Sequence, residues 1–258
     1  MKEKLIEIYN YKDMIKSLVR RELRGKYAKS VLGFLWSFLN PMFQILIYTV
    51  VFTVVFHNGM ENYYIFLMTG LLPWTFFSDS FAQGSVSINA NAEMVKKIYF
   101  PREVLVIAEV NAKLINLLLS FIVMAVFILI SGTGFSWQLV FLPVILLIEY
   151  LFALGFALLV AAITVYLRDM EYIVNVVLMA WVWATPIMYS LDSLSGIFRQ
   201  LLTFNPMTLI MVSYQDILYW HRTPYAMNLG VACVEGIVVL IIGEVVFHHL
   251  SKGFVEEM

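Results

Sequence analysis

The sequence predicts an all-α integral membrane protein with six transmembrane helices, and three observations carry that expectation. Of its 258 residues 61% are hydrophobic and 14% charged, at a mean hydropathy of +0.83, against about 45–50% and 25% in a soluble domain. Six apolar runs, at residues 31–56, 63–81, 104–130, 139–167, 172–191 and 229–247, each approach the roughly 20 residues that cross about 30 Å of hydrocarbon. Lys and Arg are sorted between alternate connections: nine of the seventeen lie in residues 1–30, followed by Lys96, Lys97, Arg102, Arg168 and Lys252, with Arg199 and Arg222 opposite. The positive-inside rule then places both termini in the cytoplasm. Lys113, inside the third run, is the one basic residue this sorting does not assign.

Residues 1–30 are expected to form a cytoplasmic interface segment, and residues 31–258 a single membrane domain without internal repeats. Thirty polar and basic residues precede the first run, which is not the pattern of a cleaved signal peptide. Within 8–24, Ile8, Tyr11, Ile15, Leu18, Val19 and Leu23 share one helical arc opposite Asp13, Lys16, Arg20, Arg21 and Arg24. That is the pattern of an amphipathic helix lying on anionic lipid headgroups. Lys12, Glu22 and Lys26 break it.

In the first run Asn40-Pro41 is expected to kink the helix, and Tyr48, Phe52 and Phe56 recur every four residues, on one face. The fifth run carries Trp181, Trp183 and an interruption at Thr185-Pro186. Neither run contains a charge. The other four contain Asp79, Glu109, Lys113, Glu149, Glu235 and Glu244, and an ionisable group at membrane depth is a functional candidate. Glu109 and Lys113 also have the i, i+4 order of a helical ion pair. Residues 192–225 lie outside by this topology, yet are apolar and broken by Asn205-Pro206; two short helices dipping into the outer face satisfy both facts.

Chemical motifs are lacking. The chain has no HExxH, GxSxG or GxxxxGK[ST], so neither a zinc site, a nucleophile elbow nor an ATP phosphate loop is expected. His248 and His249 are adjacent and face different sides of a helix, and the fourteen methionines are scattered, so no metal site is expected. A net charge of −1 suggests no nucleic acid partner. Cys233 is the only cysteine, which excludes an intrachain disulfide.

Five blocks in order, RGKYAKSVLGFLWSFLNPMFQ, LLPWTFFSDSF, NANAEMVKKIYFPRE, YLRDMEYI and FNPMTLI, resemble the permease subunit of ABC-2 type polysaccharide exporters. That family moves lipid-linked O-antigen or teichoic acid chains across the cytoplasmic (inner) membrane of bacteria. The resemblance covers nearly the whole chain. It implies a homodimer working with two separate ATPase subunits, which would bind the ATP and Mg²⁺; no cofactor is expected on this chain.

The resemblance also implies a coupling helix in the loop 84–102, with Asn89, Asn91, Glu93, Met94, Lys96 and Lys97 as contacts to the ATPase and Tyr99-Phe100-Pro101 as a stiff joint to the third span. Arg168 and Asp169 match a second cytoplasmic contact, although a charged helix boundary is expected there in any case. The outer segment, with Phe198, Asn205 and Pro206, matches re-entrant gate helices. The family's path runs between two copies along spans one and five, which makes Phe38, Tyr48, Phe52, Trp181, Trp183 and Tyr189 path-lining candidates for a glycan. Aromatic belts and core packing are the competing roles for these rings. Two other functions remain open on sequence: export of a small molecule or drug by the same architecture, and proton-coupled transport through Glu149, Glu235 and Glu109.

Overall fold

The computed structural model describes residues 2–25, 35–55 and 59–257, without the side chains of residues 2–5, Ser37, Phe38 and Val255. Phe38, Phe56 and Lys26 therefore lie, as side chains, outside the described residues. All regular elements among the described residues are helical. They are α1 (Lys2–Asn10), α2 (Lys12–Gly25), α3 (Trp36–Val50), α4 (Tyr63–Val86), α5 (Ala92–Lys97), α6 (Glu103–Ser131), α7 (Leu142–Tyr166), α8 (Met170–Trp181), α9 (Gly196–Thr203), α10 (Pro206–Leu218), α11 (Ala226–Leu250) and α12 (Phe254–Glu257).

Three stretches are long and apolar enough to cross a membrane: Glu103–Ser131, Trp137–Tyr166 and Ala226–Gly253. They correspond to the third, fourth and sixth predicted runs. The second run became α4, which is long enough at 24 residues, about 36 Å, but carries more polar groups. Its position explains why: seventeen of its residues are buried, and it packs against α3, α6, α7, α8 and α10. Protein, not lipid, surrounds it.

The first run continues as helix through Pro41 and ends in a π turn, Val51–Val55. A proline in the first turn or so of a helix has few intrahelical donors to interrupt, and Pro41 sits six residues into α3. The fifth run is corrected more sharply. The expected helix over 172–191 stops at Trp181, and residues 182–190 are irregular. Pro186 has no amide to donate and restricts Thr185 before it, while the Thr185 hydroxyl donates to the Trp181 carbonyl at 2.9 Å.

The tightest packing is between α7 and α11. Gly155 is the reason: a Cβ there would come within 2.6 Å of the Leu240 nitrogen. A Cβ on Gly243 would collide with the Gly155 carbonyl oxygen. Two apolar helices gain little hydrophobic energy from meeting inside lipid, so close backbone approach through small residues supplies the contact instead.

The predicted amphipathic arc is also corrected in its partner. Leu18 and Val19 are buried and Tyr11, Ile15 and Leu23 half-buried because α2 lies along α6. Its apolar face is covered by protein. Glu22, which broke the pattern, points at the Lys113 ammonium, 3.2 Å away.

Candidate functional site

The loop from α4 to α6 is ordered by its own chain. The Asn91 amide donates to the Ser87 carbonyl at 2.8 Å and its oxygen accepts from Arg21 on α2 at 2.6 Å. Asn89 reaches the Thr164 carbonyl on α7 at 3.2 Å. Ile88, Val95 and Phe100 are buried and Met94 is half-buried against the core. On the other side Glu93 and Lys97 pair at 2.5 Å in solvent, Lys96 is exposed, and Ile98 and Tyr99 are 57% and 88% exposed. The segment thus has an inner face of Asn89, Asn91 and Met94 and an outer face of Glu93, Lys96, Lys97, Ile98 and Tyr99. Ile98 was not singled out from sequence; an isoleucine in a charged loop is the signal that marks it.

After Tyr99 the chain turns in at Phe100-Pro101, and Arg102 donates to the Ser251 carbonyl and lies over the Phe254 ring at 5.8 Å. The foot of α6 is thereby tied to the C-terminal tail. Arg168 and Asp169 are exposed in the turn between α7 and α8. The Asp169 carbonyl accepts from the Tyr172 and Ile173 amides. Asn89 and this turn sit at the same end of α7.

At the opposite end, the irregular backbone after α8 is held by side chains distant in sequence. The Ala184, Pro186 and Met188 carbonyls accept from Asn205 at 2.8 Å, Gln215 at 2.7 Å and Tyr63 at 2.5 Å. Thr185, Ile187 and Met188 are buried. Broken backbone at membrane depth is tolerated only when its polar groups are satisfied in this way. Asn205 Oδ1 also accepts from the Trp181 indole at 2.9 Å and the Met207 amide at 3.1 Å, so it caps α10 as well. Pro206 follows as its first residue, and Met207–Leu218 is buried throughout.

Around this clasp, Arg222 binds Asp216 at 2.5 Å and Asp192 at 3.2 Å, and Arg199 binds Asp192 at 3.2 Å. Burial raises the Asp216 carboxyl above its usual range, with the Arg222 guanidinium opposing that rise. On α9, Ile197, Phe198 and Leu201 are exposed, as is Phe204 after it.

The predicted path rings separate. The Trp181 indole lies 5.2 Å from Phe77, 5.6 Å from Phe156 and 6.4 Å from Trp74, centroid to centroid, within the subunit's own core. Tyr48 and Phe52 also pack inward, Phe52 5.9 Å from Tyr63. Trp183 is 59% exposed, and the half-buried Tyr189 donates to its carbonyl at 3.0 Å. Four-residue spacing placed the rings of α3 on one face, but not which face. The exposed face is Phe43, Leu46, Ile47, Val50 and Val54, with Tyr172, Val176 and Met179 on α8.

The membrane-depth acids are enclosed. Glu149 is fully buried and accepts from the Tyr214 hydroxyl at 2.7 Å, and Glu109 pairs with Lys113 at 2.6 Å. Among the described residues no group of acids, histidines or cysteines could hold a metal ion.

A helical, multi-pass bundle with an ordered polar segment at one end and a side-chain clasp at the other is a membrane permease. The chain belongs to the ABC-2 type transporter family, whose sequence profile matches residues 14–219. It is 37% identical to the O-antigen export system permease protein RfbA of Myxococcus xanthus over 98% of both chains. A protein of the same name in Klebsiella pneumoniae is 30% identical over 95% of this chain and 94% of its own. The polysialic acid transport protein KpsM of Escherichia coli is 23% identical over 89% of this chain and 90% of its own.

Proposed function

We propose that this chain is the membrane subunit of a polysaccharide exporter, passing a lipid-linked glycan of O-antigen type across the bacterial cytoplasmic membrane. The observation that carries this is the match along nearly the full length of O-antigen export permeases. In this reading the chain spans the membrane six times through α3, α4, α6, α7, α8 with its clasped extension, and α11, with both termini inside. Two copies meet through the exposed apolar faces of α3 and α8, and the path runs between them with Trp183 and Tyr189 at its wall.

Each copy would take an ATPase subunit on the outer face of the loop, at Glu93, Lys96, Lys97, Ile98 and Tyr99, next to Arg168 and Asp169. Asn89, Asn91 and Met94 join that grip to the bundle, and Tyr99–Pro101 passes the displacement to α6. At the other end α9 and α10 form the outer gate, hinged on Asn205 and Pro206, with Phe198 toward lipid or partner. A push driven by ATP shifts the gate only through a difference in ATPase affinity between closed and open states. Proton coupling through Glu149, Glu235 and Glu109 finds no support in the enclosed Tyr214 and Lys113 pairs.

The test is reconstitution of the purified chain in liposomes with its cognate ATPase and lipid-linked glycan. ATP-dependent appearance of glycan on the far side is expected. Movement that is independent of ATP and collapsed by an uncoupler would refute the reading.

A further inference from the structure

Between α3, α4 and α6 lies a cavity of about 240 Å³ that neither the loop nor the clasp uses. Each helix presents it with a polar pair at i, i+4: Asn40 and Gln44, Thr75 and Asp79, Asn116 and Ser120. Three facing polar stripes in an otherwise apolar bundle are costly to maintain without a ligand or water to meet them. Asn116 Oδ1 is a buried acceptor that no described donor reaches, and a buried acceptor in a native protein normally has a donor, water included. Trp36 and Phe76 add ring surface to the same wall.

Charge narrows the occupant. Lys113 closes one end, but its ammonium is already bound by Glu109 at 2.6 Å and Glu22 at 3.2 Å, and Asp79 adds a further carboxylate. An anionic phosphate is therefore not favoured, and the buried ammonium opposes a cation. Amides, hydroxyls and one carboxylate beside aromatic rings match a neutral polyol, which both donates and accepts while offering C–H faces. The volume is below the roughly 300–1,000 Å³ of sites for drug-sized ligands, so one compact ring fits and a chain does not. Lys113 lies ten residues into α6, about 15 Å from its loop end.

We infer that this cavity is a subsite for a single neutral sugar unit inside one subunit, separate from the path between copies. The inference rests on the polysaccharide reading. Sugar held here would register the leading unit of the glycan against α6, the helix that receives the push from the loop.

The full chain in lipid nanodiscs is titrated with methyl α-D-mannoside, methyl α-D-galactoside and methyl α-L-rhamnoside, and separately with inorganic pyrophosphate and with short-chain phosphatidylglycerol, reading tryptophan fluorescence. A saturable change with at least one glycoside is expected, absent in Trp36→Phe, and weakened about ten-fold in Asn116→Leu and in Gln44→Leu, as loss of one buried hydrogen bond implies. Gln44 is exposed at the cavity mouth, so that variant keeps the test valid where Asn116→Leu fails to fold. No saturable glycoside response in a chain with an intact thermal transition overturns the proposal, as does a response to pyrophosphate or phosphatidylglycerol alone. Export of glycan by liposomes without glycoside binding would sink the subsite and leave the exporter reading standing. Glycoside binding without any export would support the subsite and sink that reading.

Discussion

At Asn205 one side chain joins the Trp181 indole, the Ala184 carbonyl, the Thr185 hydroxyl and the amide of Met207. Each buried group left without its partner costs about 1–3 kcal/mol. Asn205→Ala is expected to lower the thermal transition of the detergent-solubilised chain and to make liposomes leak small sugars, since the same bonds hold the proposed gate shut. A second residue-scale prediction concerns Lys113, 2% exposed between Glu109 and Glu22. Lys113→Met strands Glu109 and is expected to destabilise by about 3–5 kcal/mol, the usual cost of breaking a buried pair. Glu109→Gln combined with Lys113→Met recovers most of that loss; a double variant no more stable than the single one would show the pairing to be incidental. Tyr99, 88% exposed, belongs to a different class. Tyr99→Ala leaves the thermal transition unchanged and weakens co-purification of the ATPase, because the side chain touches little of its own chain.

At the scale of elements, α7 and α11 are joined by backbone contact at Gly155 and Gly243. Gly155→Leu cannot be accommodated by a rotamer change, because the nearest atoms are Leu240 and Val239 backbone. The two helices must separate, and the variant is expected to enter the membrane yet lose its cooperative melt and become sensitive to protease. α2 is an element whose role changed once its neighbours were visible. Arg21 holds the loop through Asn91 and Glu22 holds α6 through Lys113, so α2 bridges the ordered loop and a long helix. Glu22→Gln and Arg21→Ala together are expected to reduce ATP-driven export while ATPase association persists. Lost association would place both residues in the grip instead.

For the whole molecule, the exposed apolar faces of α3 and α8 flank α4 on one side of the bundle, and that side is the proposed meeting surface of two copies. Cysteine pairs introduced at Ile47 or Val176 in a Cys233→Ser background should crosslink between copies. A pattern that appears only at Val231 or Ile242, on the far helix α11, would move the interface. Most of the long helices were legible in the sequence: runs at 104–130, 139–167 and 229–247 match α6, α7 and α11 within a few residues, since composition over some twenty residues is a strong signal. The candidate site was legible as a place, a charged loop and an interrupted outer segment. Its faces were not, because exposure of Tyr99 and burial of Met94 depend on α2 and α7 lying beside them.

The sequence by itself determined that this is a helical membrane protein of the ABC-2 kind, with its charged loops sorted to one side. Those are properties of local composition, and lipid reads local composition directly. Only the tertiary structure decided that α4 is enclosed, that α8 stops at Trp181, and that Glu22 and Lys113 meet across 91 positions. The reason is that a side chain facing lipid and one facing another helix are both apolar, so hydropathy does not tell them apart. A broken helix likewise survives only where distant donors, here Tyr63, Asn205 and Gln215, arrive to satisfy its carbonyls.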